Sequence, residues 1–221
     1  MKKFQVTVAI AFGILMLCGS CKPREGSVAD IDGNVYRTVF IGAQEWMAEN
    51  LRTTRYRSGL EIPHPTVNDE LVNATSGTWA NYDYDAANDE TYGKLYNWYA
   101  VTASEGLCPE GWHAPSEQEW SKMIEYLGGM DDAACKLKEK GTGYWDAPNT
   151  CANNRSGFTG LPGGYHDPTG FVNLGKYGIF WSTGETEDVG VFYSLWYNEA
   201  SVFKLTQTKS NMISVRCLSN E

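Results

Sequence analysis

The segment GLCPEGWHAPSEQEW, residues 106–120, places a cysteine and a histidine close enough for joint chemistry. Cys108 precedes His113 by five positions, and the proline and glycine between them predict a turn that would allow contact. A thiolate within hydrogen-bond reach of an imidazole is a catalytic nucleophile. The alternative is a disulfide at Cys108 before a helix, because Ser116 and Glu119 have the spacing of a capping box. We favour this alternative, since thiols of exported proteins are usually oxidised.

Other catalytic patterns are not found in the sequence. The three histidines, His64, His113 and His166, lack the close spacing of metal ligands, and no GxSxG elbow, phosphate-binding loop or dinucleotide fingerprint occurs. Two of the 27 acidic residues could form a glycosidase pair, but the sequence singles out no such pair. We therefore expect a protein that is not an enzyme.

Residues 1–20 have the features of a bacterial lipoprotein signal peptide. Two lysines precede a short apolar run, and Gly19-Ser20 stand directly before Cys21. We expect cleavage before Cys21 and acylation of its thiol, with palmitate among the acyl chains. An ordinary signal peptide or a short membrane anchor is the alternative, although the run is shorter than the ~20 residues of a membrane span.

This interpretation divides the chain into a signal peptide (1–20), the lipidated Cys21 with a short tether (21–29) and one domain (30–221). Removal of 20 of the 221 residues leaves 201, enough for a single domain with a sizeable core. Few residues separate Cys21 from the first predicted strand, and they would span roughly 40 Å when extended. We expect a lipid-anchored domain at the outer membrane, on its periplasmic or its cell-surface side.

The charge of the chain argues against nucleic acid as a partner. Without Lys2 and Lys3, 16 of the 18 basic residues remain against 27 acidic residues, a net charge near −11. Nucleic acids and anionic lipid surfaces are bound through clustered lysine and arginine. The expected contact with the membrane is therefore made by the lipid anchor alone.

Four cysteines remain in the domain, and four cysteines allow three disulfide pairings. We prefer Cys108 with Cys217, which closes a very long loop, and Cys135 with Cys151, which closes a short one, but the residues alone leave the pairing open. A zinc site is disfavoured because no two of these cysteines form a CxxC pair.

The strongest secondary-structure signals lie in the first two thirds of the chain. The β-forming run Val35–Ile41 predicts the first strand, and Ser116 predicts the start of a helix that carries apolar residues at helical spacing to Leu127. A second helix is expected from Asp131 or Asp132 to about Lys140, before Gly141.

After Gly141 the chain is rich in glycine, asparagine and aromatic residues, with short β-like runs. These runs are residues 178–182, 191–197, 201–206 and 212–217. In the last run Ile213, Val215 and Cys217 alternate with more polar residues, which predicts a half-buried strand. Strands at both ends with helices between them indicate an α+β fold.

The acidic segment NYDYDAANDETYG offers oxygen ligands of the kind that calcium prefers. Asp83, Asp85 and Asn88 are the candidate Ca²⁺ ligands, although the segment lacks the spacing of an EF-hand loop. We favour a solvated loop whose Asp and Asn side chains cap turns. No other cofactor is expected.

Six blocks occur in a characteristic order along the chain, namely DIDGNVYRTVFIGAQEWMAENL, YGKLYNWYAV, GLCPEGWHAPSEQEW, GTGYWDAPN, SGFTGLPGGYHDPTGFVNLGKYGIFWST and ISVRCL. This combination resembles the Fibrobacter succinogenes major paralogous domain family of exported and lipid-anchored proteins in Bacteroidetes and Fibrobacteres. The resemblance implies pairing of Cys108 with Cys217, and leaves Cys135 and Cys151 for an extra disulfide. It implies no biochemical activity.

The order of the elements also resembles the C-type-lectin-like fold, which includes the formylglycine-generating enzyme and the variable proteins of diversity-generating retroelements. The resemblance implies small antiparallel sheets, two main helices and long loops. The enzymatic members need a reactive cysteine pair near the C-terminal part of the fold, where this chain offers only Cys217. Fold alone does not fix function.

Aromatic residues make up 13% of the chain, and tryptophan and tyrosine are suited to sugar stacking and to interface anchoring. Trp98, Trp112 and Trp120 lie in patterned segments and are expected in the core. The resemblance to lectin-like folds places a ligand surface on the C-terminal strands and loops, with the candidate residues Trp181, Tyr193, Trp196, Tyr197 and Asn198.

Three functional hypotheses follow from these observations. The first is a non-enzymatic, lipid-anchored protein of the cell envelope that binds a glycan or a protein through the aromatic C-terminal face. The second is a structural subunit of an envelope or fimbrial assembly. The third, an enzyme of the formylglycine-generating-like fold, is the least favoured.

Overall fold

A computed structural model describes residues 25–220, so the expected signal peptide and Cys21 lie outside the described residues. The strands are β1 (Glu25–Ala29), β2 (Val35–Ile41), β3 (Gln44–Met47), β4 (Trp79–Ala80), β5 (Leu95–Tyr96), β6 (Trp112–His113), β7 (Gly163–Asp167), β8 (Gly170–Leu174), β9 (Tyr177–Thr186), β10 (Val189–Trp196), β11 (Val202–Thr208), β12 (Ile213–Ser214) and β13 (Leu218–Ser219). The helices are α1 (Asn68–Val72), α2 (Asp89–Tyr92), α3 (Trp98–Val101), α4 (Glu117–Tyr126) and α5 (Met130–Leu137), with two short 3₁₀ turns before α2.

The strands form three sheets, and the fold is α+β with mostly antiparallel pairing. One sheet has the order β1-β2-β3-β13-β6, so it joins the start of the domain to its end. The largest has the order β11-β10-β9-β12-β5-β4, and its β9–β12 pair is parallel. The hairpin β7-β8 forms the third. In residues 25–220 no helix has the length and apolar character needed to cross a bilayer.

The strongest local predictions are confirmed. Strand β2 has the predicted bounds, and helix α4 starts at the capping box, in which the Ser116 hydroxyl accepts from the Glu119 N–H. Helix α5 ends at Leu137, three residues before the predicted end. The reason is that Lys138 is extended, at φ −68° and ψ 138°, and forms a β-bridge with Gly160.

The prediction of a half-buried strand over residues 212–217 is wrong. Only Ile213–Ser214 is a strand, and the polar Ser214 and Arg216 are as buried as the apolar Ile213 and Val215. The cause for β12 is its position between β9 and β5 inside the largest sheet, and Arg216, beyond the end of β12, is buried where its guanidinium donates to the Phe158 and Thr159 carbonyls. The three earlier β-like runs correspond to β9, β10 and β11.

Aromatic rings fill the space between the largest sheet and helices α4 and α5. Trp120 of α4 stacks on Tyr193 of β10 and packs near Trp46 and Phe158, and all four are almost fully buried. Trp98 and Trp112 are also buried, as expected from the sequence. The core therefore uses much of the aromatic content of the chain.

The structure contains both preferred disulfides. Cys108–Cys217 links the segment before β6 to the segment after β12, across 109 positions of sequence, and both residues are buried. Cys135–Cys151 links α5 to the irregular segment that follows it, across 16 positions. The pairing that the family resemblance implied is confirmed.

Candidate functional site

The Cys/His segment is part of the architecture. Cys108 is bonded to Cys217, so its sulfur is not available as a thiolate. His113 lies between two oxygen partners, with Nε2 2.9 Å from Glu119 Oε1 and Nδ1 2.5 Å from Asn220 Oδ1. The Glu119 carboxylate also accepts the Ser116 N–H and hydroxyl, so His113 ties the start of α4 to the end of the chain.

The candidate calcium segment forms two short turns. The Asp85 carboxylate accepts from the Ala87 N–H, the Asn88 amide donates to the Tyr82 carbonyl, and Asp83 is exposed. Among residues 25–220, no group of three or more His, Cys, Asp or Glu side chains is arranged to hold a metal ion. The side chains of Asp85 and Asn88 therefore cap turns, which is the interpretation that the sequence favoured.

Two of the five candidate ligand residues lie in the core, so the prediction is wrong for them. Trp181 is 0% exposed and its indole N–H donates to the Tyr96 carbonyl at 2.8 Å. Tyr193 is 1% exposed and its hydroxyl donates to the Glu117 carbonyl at 3.2 Å. Both residues are central positions of long strands, and each packs into a buried hydrophobic cluster. They cannot contact a ligand directly.

The other three candidates lie at the surface end of β10. Trp196 is the last residue of the strand and is half-buried, Tyr197 is half-buried against the core, and Asn198 is exposed. The register of the sheet pairs Trp196 with Tyr177 of β9. Trp196 is thus the member of the predicted set that faces a concave surface.

That concave surface, which we call the aromatic groove, has a volume of about 320 Å³ and lies on one face of strands β9, β10 and β11. Its lining residues are Tyr165, Tyr177, Ile179, Phe192, Ser194, Trp196, Leu205, Thr206, Gln207 and Ile213. Alternation along β10 directs Phe192, Ser194 and Trp196 to the groove, while Tyr193 and Leu195 face the helices. One face of the sheet therefore forms the floor of a site, and the other packs against the core.

The walls of the groove are aromatic and its floor is apolar. Ile179, Phe192 and Ile213 are buried beneath the opening. The ring of Trp196 stands between those of Tyr177 and Phe203, with centroid distances of 5.1 and 4.1 Å. Because both faces of the indole are covered, Trp196 presents an edge to the groove.

Polar groups lie around this apolar floor. The Trp196 indole N–H donates to the Ser194 hydroxyl at 2.8 Å, which fixes the ring. Tyr165, from the β7-β8 hairpin, forms the opposite wall, and burial, followed by the charge of Asp167, raises the pKa of its hydroxyl. The Tyr165 hydroxyl is therefore a neutral donor at physiological pH. With the side chain of Gln207, which lies on the same face of β11 as Leu205, it supplies hydrogen-bonding groups of the rim.

The sequence interpretation missed Tyr165, Tyr177 and Leu205. Tyr177 could have been found by pairing the predicted strands, because a hairpin between the two runs places a residue opposite Trp196. Leu205 follows from alternation in VFKLTQT. Tyr165 depends on the docking of the β7-β8 hairpin, for which the sequence gives only the turn residues Asp167 to Gly170.

A second cleft, of about 580 Å³, lies beside Arg216 and is lined by charged residues. Glu49 pairs with Arg37 at 2.9 Å and with Arg52 at 3.8 Å. The Arg216 guanidinium donates to four uncharged oxygens, the side-chain oxygen of Asn50 and the carbonyls of Met47, Phe158 and Thr159. The Glu49 carboxylate is thus already paired with two arginines, and the Arg216 guanidinium is already hydrogen-bonded within the protein. We therefore place the candidate site in the aromatic groove.

The fold and the groove define an α+β domain with two disulfides and a concave aromatic site on its largest sheet. The sequence matches the Fibrobacter succinogenes major domain over residues 39–219, and the chain belongs to this family. Comparison with curated proteins returned no match, and comparison with solved structures returned none either. The family match carries no ligand or activity over to this chain.

Proposed function

We propose that this chain is a non-enzymatic, lipid-anchored protein of the cell envelope that binds a glycan or a protein ligand in the aromatic groove. The observation that supports this proposal best is the groove itself, with its apolar floor, aromatic walls and polar rim. Ligand sites are commonly concave and mostly apolar, with a few polar groups that fix orientation. The groove has this composition at the C-terminal strands, where a ligand surface was expected.

A glycan is the first ligand class that the groove suits. A sugar ring has an apolar face and a periphery of hydroxyl groups, so it needs an aromatic or aliphatic surface next to hydrogen-bonding groups. Tyr165 and Tyr177 line the walls, and each tyrosine side chain provides an aromatic ring together with a hydrogen-bonding hydroxyl group. Trp196 contributes the edge of its indole and packs against the Tyr177 ring. It does not offer an open ring face on which a sugar could stack.

The finer description of the fold is also a proposal. A C-type-lectin-like domain is supported by the sheet that places β13 of the C-terminus beside β3 of the N-terminus, and by two main helices with long loops elsewhere. Attachment to the membrane through Cys21 is supported by the signal-like N-terminus and by the short stretch of chain between Cys21 and β1. Labelling of cells with a palmitate analogue should mark the protein but not its Cys21→Ala variant.

The proposal is tested with purified domain and two single variants. The wild-type protein is applied to a glycan array and used in pull-down from envelope extracts, next to Trp196→Ala and Tyr165→Ala. The matched control is Tyr126→Ala, because Tyr126 is an aromatic residue of α4 that is 67% exposed and does not line the groove. We expect binding by wild type and control, with a loss of roughly tenfold or more in both groove variants. Blank arrays and pull-downs, or equal binding by all four proteins, would refute the proposal.

A structural subunit of an envelope or fimbrial assembly is the second candidate. It is supported by β11, which is the edge strand of the largest sheet and carries Leu205 with 41% exposure. An open strand edge can pair with another chain. Cross-linking in cells separates the two functions, because a subunit should be recovered in a complex of fixed stoichiometry and a ligand-binding protein should not.

A further inference from the structure

The turn at residues 196–199 begins at Trp196, the last residue of β10, which lines the aromatic groove. Its backbone carbonyls are bound by one segment that is distant in sequence, residues 135–151, which the Cys135–Cys151 disulfide closes. We call residues 135–151 the disulfide-closed segment. It packs behind the turn and does not line the groove.

Three carbonyls of the turn accept hydrogen bonds from this segment. The Lys138 ammonium donates to the Trp196 carbonyl at 2.9 Å and to the Glu199 carbonyl at 2.8 Å. The Thr150 N–H donates to the Tyr197 carbonyl at 2.8 Å. The turn is therefore held from two points of the segment, one near each end.

Lys138 occupies a position that is unusual for a lysine. The residue is fully buried, and its ammonium lies 5.6 Å from the centroid of the Trp145 ring. Burial lowers the pKa of Lys138 to about 8, although the nearby charge of Glu199 acts in the opposite direction. A methionine would fill a similar volume without the cost of burying a charge. The two carbonyl contacts are what the amine supplies and methionine would not.

The two disulfides differ in their surroundings. Cys108 and Cys217 are buried in the core, whereas Cys151 is exposed and Cys135 is half-buried. Next to the second disulfide, the Asn153 N–H donates to the Cys135 carbonyl at 2.8 Å. This disulfide therefore fixes the irregular segment to the last turn of α5, and Lys138 follows Cys135 by three positions.

We propose that the disulfide-closed segment positions the wall of the aromatic groove, with Lys138 as the positioning residue that holds the turn at residues 196–199. The segment acts on the ligand only through this turn, and in that respect the inference rests on the proposed function. Loss of either support should loosen the turn while the largest sheet and the buried disulfide keep the domain folded.

The test measures hydrogen exchange at the amides of Tyr197 and Glu199 in Lys138→Met and in Cys135→Ser/Cys151→Ser. Exchange at both amides should be roughly tenfold faster than in wild type, relative to amides of β9 in the same protein, because local opening is made easier. The control is Lys136→Met, since Lys136 lies in α5 two residues before Lys138 and donates to the Leu127 carbonyl at the end of α4. Lys136→Met should leave the two amides unchanged.

Binding to the same glycan array is the second readout. We expect signals of wild type and Lys136→Met to be equal and those of the two test proteins to be weaker by roughly three- to tenfold, as for the loss of one or two hydrogen bonds. Unchanged exchange at Tyr197 and Glu199 in both test proteins would overturn the inference. If Lys138→Met does not fold, the exchange rates of Cys135→Ser/Cys151→Ser alone provide the test. If the test proteins exchange faster but the wild type binds nothing on the array, the positioning role of Lys138 is supported and the proposed glycan ligand is refuted.

Discussion

The indole of Trp120 stacks on the ring of Tyr193, with centroids 4.9 Å apart and planes 17° from parallel. This contact joins α4 to the centre of β10, and the Tyr193 hydroxyl adds a hydrogen bond to the Glu117 carbonyl in the first turn of the helix. The start of α4 is therefore packed against the centre of the largest sheet and hydrogen-bonded to it. Tyr193, which the sequence suggested as a ligand contact, instead packs the sheet against helix α4.

Removing either ring should destabilise the domain. We expect Trp120→Ala to lower the free energy of unfolding by about 3–5 kcal/mol, as for a large aromatic side chain in a packed core. Tyr193→Phe keeps the ring and should cost only about 1 kcal/mol for the lost hydrogen bond. Urea unfolding followed by circular dichroism measures both, and the exposed Tyr126→Ala should stay within about 0.5 kcal/mol of wild type. A cost for Trp120→Ala as small as that of the control would contradict the packing described.

The two disulfides should contribute unequally to stability. In the chain-entropy model the stabilisation grows with the length of the loop that is closed, and the loops span 109 and 16 positions. We expect Cys108→Ser/Cys217→Ser to cost about 4–5 kcal/mol and Cys135→Ser/Cys151→Ser about 3 kcal/mol. Urea unfolding of the two double variants measures the difference. The reverse order would show that strain or packing outweighs loop closure.

Sequence reasoning succeeded where local signals decide the structure. The capping box at Ser116, the β-forming run of β2 and the two disulfide pairs each depend on residues near in sequence or on a family pattern, and each is found as predicted. The end of α5 was placed too late, because the β-bridge of Lys138 with Gly160 is a tertiary contact that no local pattern reveals.

The candidate site was only partly accessible from the sequence for the same reason. Position 196 could be identified from the aromatic content of β10, but whether a ring on this strand faces the groove or the helices depends on which face of the sheet α4 covers. Alternation along the strand places Tyr193 and Trp196 on opposite faces of the sheet. It does not show which of the two faces is covered by the helices. The burial of Arg216 also depends on tertiary contacts, because its guanidinium donates to the Phe158 and Thr159 carbonyls, which are distant in sequence.

Arg216 should tolerate neither a lysine nor a methionine. Burial lowers the pKa of its guanidinium to about 9, with the charge of Glu49 opposing the shift, and the group stays bound to four oxygens. Lysine lacks the planar fork that reaches these acceptors, and methionine leaves them all without a donor. We expect Arg216→Lys and Arg216→Met to cost about 3–5 kcal/mol in unfolding experiments, because each buried oxygen left without a donor costs about 1–3 kcal/mol.

The control for this prediction is Arg37→Lys. Arg37 forms a surface salt bridge with Glu49, and its side chain is 57% exposed. Exposed pairs contribute about 0–1 kcal/mol, so this variant should unfold close to wild type. Similar costs at positions 37 and 216 would contradict a structural role specific to the buried guanidinium.

Glu119 should make stability depend on pH in the acid range. Burial raises the pKa of this carboxyl, but the hydrogen bonds from the Ser116 N–H and hydroxyl and the contact with His113 outweigh burial and lower it. A carboxyl with a lowered folded-state pKa stabilises the fold fully above its unfolded-state value, and the contribution is lost as the pH falls through the folded-state value. The free energy of unfolding of wild type should therefore exceed that of Glu119→Gln at pH 7, and the gap should shrink below about pH 4.5. Urea unfolding of both proteins between pH 7 and pH 3 measures the gap, and a constant gap over this range would show that the lowered pKa of Glu119 does not contribute to stability.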